Sequence, residues 1–96
     1  MKAEVVTYET EEMTNSKRSI LSKTLFGYTD KTKKAKYIYE RNGILDSILH
    51  VKITKKTFIV SAEDAKKIRS IIKALGAKVK SWRVEISKGL MQKSYG

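Results

Sequence analysis

Cysteine and proline are both absent from this chain of 96 residues. Without cysteine there can be no disulfides, iron–sulfur clusters or thiolate zinc sites. Histidine occurs once, as His50. Any metal cage would therefore have to draw its other ligands from carboxylates, of which there are only ten. The phosphate-cradling G-x-x-x-x-G-K-[ST], the dinucleotide G-x-G-x-x-G, the nucleophile elbow G-x-S-x-G and the zinc motif H-E-x-x-H are all missing. No apolar run approaches the ~18 residues that a membrane-spanning helix needs. The start, Met1-Lys2-Ala3-Glu4, lacks the basic head and apolar block of a secretory signal. These absences lead us to expect a cytoplasmic protein that is not an enzyme, needs no cofactor and does not enter a membrane.

What is present is positive charge. Lys and Arg number 21, and the net charge is +11. The imbalance is uneven: residues 1–12 carry −3 and residues 13–96 carry +14. So basic a body repels itself unless a polyanion is near, and nucleic acid is the commonest polyanion partner. The plain alternative is a solvated surface that serves solubility. Abundant lysine and a single glutamine match part of the composition of thermophile proteins, but the accompanying rise in Glu and loop Pro is missing.

A length of 96 residues allows one core, so residues 1–96 are expected to form a single domain with an acidic N-terminal segment (1–12) and a frayed polar tail (87–96). Glu4 to Tyr8 are β-rich and predict a first strand at a sheet edge. Thr14, Asn15 and Ser16 are good N-caps for a short helix over residues 17–26, with Gly27 at its C-terminal stop; a strand competes there, because Ile20-Leu21 and Leu25-Phe26 do not settle the period. A lysine-rich loop (29–36) leads to a strand over 35–41. Asn42-Gly43 is a strong hairpin signal, since both residues tolerate the positive φ of a type I′ turn. From Ile48 to Ser61 the alternation predicts a second hairpin turning at Lys55-Lys56, with Ile53 opposite Phe58 and Val51 opposite Val60, all on one face. Ser61 to Asp64 reads as a capping-box start for an amphipathic helix over 62–75, whose stripe is Ala65, Ile68, Ile71, Ile72 and Leu75. Residues 78–86 return as a strand with Trp82, Val84 and Ile86 facing the core. The fold class is thus α+β: a mostly antiparallel sheet of four to five strands with one or two helices packed on one face.

Candidate phosphate contacts cluster in turns and on the second helix: Lys31, Lys33, Lys34 and Lys36; Lys52, Lys55 and Lys56; and Lys66, Arg69 and Lys73, which 100° spacing places in one stripe. A further turn cluster is Lys78, Lys80 and Arg83. If the strands meander, loops 29–34 and 55–56 share one end of the sheet and build a composite patch. Tyr37 and Tyr39 share a side of their strand and could stack bases, although large aromatics are usually drawn into cores. His50 reads as an ordinary exposed histidine on the polar phase of its strand. Asp30, Glu40, Asp46 and Glu85 would serve a metal-dependent nuclease only if the fold happened to gather them.

The run from the first helix to the second has the order α–β–β–β–α and in this resembles a double-stranded-RNA-binding domain. That family opens its last helix with a lysine signature. Ala62-Glu63-Asp64-Ala65-Lys66-Lys67 puts two acids at this point, so no family is assigned. The expected function is non-catalytic binding of DNA or RNA, mainly through phosphates and with low sequence preference. The alternative is an accessory subunit of a DNA polymerase, ribosome or other nucleic-acid machine, acting through protein contacts, with the acidic segment and the tail as docking arms.

Overall fold

The computed structural model describes residues 1–31, 38–87 and 89, with residues 30, 31, 38 and 39 described through their backbone alone. The elements are β1 (Lys2–Glu9), α1 (Asn15–Phe26), β2 (Tyr28–Lys31), β3 (Ile38–Arg41), a 3-10 turn (Ile44–Ser47), β4 (His50–Thr54), β5 (Thr57–Ser61), α2 (Ala62–Ala74) and β6 (Lys78–Glu85). Four strands form one antiparallel sheet in the order β4-β5-β1-β6, and β2 and β3 make a separate two-stranded ribbon. The fold is α+β. With the ribbon set aside, the connectivity is β-α-β-β-α-β, the ferredoxin-like split arrangement.

The helix ends follow the local chemistry. Thr14 Oγ1 accepts from the Lys17 amide at 3.2 Å, and Gly27 closes α1 with φ +77°. Ser61 Oγ accepts from the Asp64 amide and donates to its carboxylate. At the far end of α2, Gly76 takes φ +97°, and the amides of Gly76 and Ala77 return to the carbonyls of Lys73 and Ile72. Those two bonds are the Schellman closure.

Both helices lie on the sheet face that carries Val6, Tyr8, Phe58 and Val60. Ala65, Ile68 and Ile72 from α2 and Leu21 and Leu25 from α1 complete one buried core with Leu45 and Met13. Ile20, placed on the apolar side of α1 by its spacing, is 53% exposed.

Five expectations are corrected. β1 is a central strand, paired with β5 on one side and β6 on the other, because each of its two hydrogen-bonding edges finds a partner strand. The acidic segment is therefore no free docking arm through residue 9. Residues 28–31, expected in a loop, are a strand. Asn42-Gly43 is not a hairpin turn: Gly43 has φ −88°, β3 pairs back to β2, and a 3-10 turn follows. The reason is space. A Cβ on Gly43 would collide with the Leu25 carbonyl and the Gly27 amide, and a Cβ on Gly27 with the Arg41 carbonyl oxygen. The two glycines let the end of α1 and the entry to the 3-10 turn touch backbone to backbone.

The remaining two corrections concern register. Lys55-Lys56 is the two-residue turn expected, but a bulge between Lys52 and Thr54 makes Ile53 the extra residue. His50 therefore pairs with Val60, Val51 with Ile59 and Lys52 with Phe58. The face assignment of β4 is inverted: Ile53 is 52% exposed, and His50 is buried at 5%, its Nδ1–H donating to the Ile48 carbonyl at 2.9 Å. On β6, Trp82 points away from the helices and is 56% exposed. Its register partner Val5 lies one residue out of phase with the buried Val6, so Trp82 belongs to the other face.

Candidate nucleic-acid interface

α1 leaves a cleft of about 490 Å³ where its Arg18, Leu21, Ser22 and Phe26 overhang the end of the β4–β5 hairpin. Tyr8 and Thr10 form the floor, and Lys52, Lys55 and Lys56 the far wall. Among the described residues, four cations line this cleft and no carboxylate does. The helical phase that buries Leu21 and Leu25 also turns Arg18 and Ser22 toward the sheet.

Three of the four cations are held by neutral partners. Arg18 Nε donates to the Thr10 carbonyl at 2.8 Å and Nη2 to the Glu11 carbonyl at 2.9 Å. Three of its five N–H donors remain for another acceptor. Lys56 Nζ donates to Thr10 Oγ1 at 2.9 Å. Lys52 Nζ sits 4.9 Å from the centre of the Phe26 ring, a cation–π contact that orders the ammonium without neutralising it. The hairpin end is fixed to the central strand: the Tyr8 amide donates to the Lys56 carbonyl at 3.1 Å, and the Tyr8 hydroxyl to the Lys55 carbonyl at 3.3 Å. Burial pushes the Tyr8 phenol above its ordinary value of 10.0, so it stays a neutral donor near neutral pH. Such a cleft suits an anion with several acceptor oxygens, such as a phosphate.

The predicted contacts divide. Lys52, Lys55 and Lys56 come together, joined by Arg18. Lys66 and Lys73 are exposed on α2, which covers the β1–β6 half of the sheet. Arg69 does not form a stripe with them. Its Nε lies 3.3 Å from Oε1 of the buried Glu4 but out of line for a hydrogen bond. The pair is electrostatic, and its cation is already matched. Lys31 lies on β2 and Tyr39 on β3, paired with Asp30. Lys33, Lys34, Lys36 and Tyr37 lie outside the described residues, as does most of the tail. Lys78 is ion-paired with Glu12 at 3.3 Å.

Of the four carboxylates considered for metal chemistry, Glu40 and Asp46 border one depression. Asp46 is occupied by the Gly43 amide at 2.6 Å, and Glu85 pairs with the terminal amine at 3.3 Å. Among the described residues no three His, Asp or Glu converge, and no helix is long and apolar enough to cross a membrane.

Arg18 belongs to none of the lysine clusters in the turns. Its signal was helical phase, three residues before Leu21 and seven before Leu25.

No family model, curated protein or solved structure matches this chain.

Proposed function

We propose that the chain is a non-catalytic nucleic-acid-binding protein that takes DNA or RNA phosphates into the cleft between α1 and the β4–β5 hairpin. The observation that carries this reading is the convergence of Arg18, Lys52, Lys55 and Lys56 on one cleft that no carboxylate among the described residues lines, in a chain of net charge +11. Those groups read phosphate rather than base edges, so sequence preference is low and affinity falls with salt. The alternative, an accessory subunit acting in the cytoplasm within a larger nucleic-acid machine, loses residues 2–9 as a docking arm; its other arm, the tail of residues 87–96, lies mostly outside the described residues. The test is binding of single-stranded and duplex DNA and RNA by gel shift at two salt concentrations. Affinity no tighter than the ~10⁻⁴–10⁻⁶ M typical of non-specific binding, on every probe, refutes it.

A further inference from the structure

The helices cover one face of the four-stranded sheet, and among the described residues no element covers the other. On that open face the register aligns one residue from each strand: Trp82 beside Val5, Val5 beside Ile59, and Ile59 beside Val51. With strands about 4.8 Å apart, the row runs about 14 Å across the sheet. The next row toward the hairpin end is polar: Lys80 lies beside Thr7, and Thr7 Oγ1 shares a 2.9 Å hydrogen bond with Thr57 Oγ1. Lys80 is exposed and stands two residues, about 7 Å, from Trp82 along β6. Among the described residues the only carboxylate in phase with this face is Glu9, one row beyond Lys80 toward the hairpin end, where Lys78 stands beside it.

An indole left 56% exposed on an edge strand, in line with Val5, Ile59 and Val51, calls for an occupant with a flat apolar surface. Charge selects which. An isologous dimer would set this face against its own copy, bringing two chains of net charge +11 together. A nucleic acid reverses the sign of that interaction. Duplex bases are stacked on one another and present no free π-face, whereas an unpaired base presents one to an aromatic ring.

We infer that the open face binds single-stranded nucleic acid, with a base stacked on Trp82 and a flanking phosphate at Lys80. This rests on the nucleic-acid reading above and adds the strandedness and the stacking residue. The strand would continue past the Thr57–Thr7 row toward Lys55 and Lys56, which sit at the hairpin end and also line the cleft.

Trp82 is the only tryptophan in the chain, so its emission reports on this face alone. The full chain is titrated with a short oligothymidylate and with a duplex of matching length. The single strand should quench the emission and the duplex should leave it largely unchanged. Trp82→Ala should weaken single-strand binding by between about fivefold and about a hundredfold, the usual worth of one stacked base. Trp82→Phe should restore most of the loss, with circular dichroism showing that both variants stay folded. If both probes bind in a salt-dependent way but the emission does not respond and Trp82→Ala binds as before, the stacking inference is overturned and the phosphate-binding reading stands. If neither probe binds, both fall. If the emission follows protein concentration instead, and sedimentation gives a dimer that Trp82→Ala dissociates, the face belongs to a second copy and the inference is overturned.

Discussion

Replacing Lys52, Lys55 and Lys56 together with alanine tests whether the cleft touches phosphate. Arg18 is left in place, because its bonds to the Thr10 and Glu11 carbonyls fix the entry to α1. All three lysines are exposed, and the structural losses are small. Lys52 gives up a cation–π contact worth ~0.5–1 kcal/mol at an exposed site. Lys56 gives up one hydrogen bond to Thr10, worth about 1 kcal/mol or somewhat more because the donor is charged. A loss of roughly 2 kcal/mol against a total of ~5–15 leaves the variant folded. The loss in binding is larger. Each phosphate contact releases counterions and adds ~0.7 to the slope of log K against log salt for single strands and ~0.9 for duplex. Three lost contacts should therefore flatten the slope by about 2 for a single strand and by nearly 3 for a duplex. The assay is fluorescence anisotropy with a labelled oligonucleotide over a series of salt concentrations, on several unrelated sequences, all of which should weaken alike. A paired control, Lys66→Ala with Lys73→Ala, removes charge from the exposed side of α2 and should flatten the slope less. A folded triple variant with the slope and affinity of the unmodified chain would refute the cleft as the contact surface. Equal effects from both sets would show that only overall charge matters.

Three further outcomes follow from the packing. Ile68 is fully buried, so Ile68→Ala should cost about 2–5 kcal/mol, read as a lower urea midpoint, and Ile68→Asp should leave the chain unfolded. Gly27→Ala would place a methyl against the Arg41 carbonyl and the Gly43 amide at φ +77°, so it should destabilise by more than the roughly 1 kcal/mol of a strained left-handed residue alone; a melting temperature equal to that of the unmodified chain would show that the two backbones do not meet there. Tyr8 holds its proton more tightly folded than unfolded because burial penalises the phenolate. The stability this contributes is complete below pH about 10 and is lost as the pH rises past the folded value, so thermal melts above pH 10 should fall less steeply for Tyr8→Phe than for the unmodified chain.

The elements were legible where period and punctuation agreed. In α2, Ser61, the stripe from Ala65 to Ile72 and Gly76 all name the same boundaries, and Thr14 and Gly27 do the same for α1. What could not be read was long-range. Residues 4–8 alternate like any half-buried strand, and nothing in them says that two neighbours flank β1 instead of one. Asn42-Gly43 satisfies the chemistry of a tight hairpin, but Gly43 is there because the end of α1 comes too close for a Cβ. A local signal and a tertiary demand select the same residue, and only the structure separates them.

The candidate site shows the same division more sharply. Lys52, Lys55 and Lys56 were visible as a charge cluster because they sit around one turn. Arg18 was not, since its relation to them depends on α1 folding over the end of the hairpin. The rule that large aromatics are buried, together with the alternation of Trp82, Val84 and Ile86, predicts a core position for Trp82. On β6, however, the two phases are nearly balanced. Val79 and Ser81 alternate with Lys80 and Trp82, and whichever phase aligns with Val6 and Tyr8 on β1 faces the helices. The register sets Val79 opposite Tyr8 and Ser81 opposite Val6, and the indole is turned outward with Lys80. The bulge in β4 acts in the same direction. It places Ile53 as the extra residue and Val51 opposite Ile59, so that a strand whose apolar residues read as core-facing lends Val51 to the open face. The bulge in β4 and the phase in which β6 meets β1 thus turn two strands expected to face the core into the rims of a half-apolar platform. An open face of this composition is a cost to an isolated monomer, and a base stacked on Trp82, as proposed, would offset it. The fluorescence titration on Trp82 and the salt slope at the hairpin end probe the two halves of that account separately, and each can fail without the other.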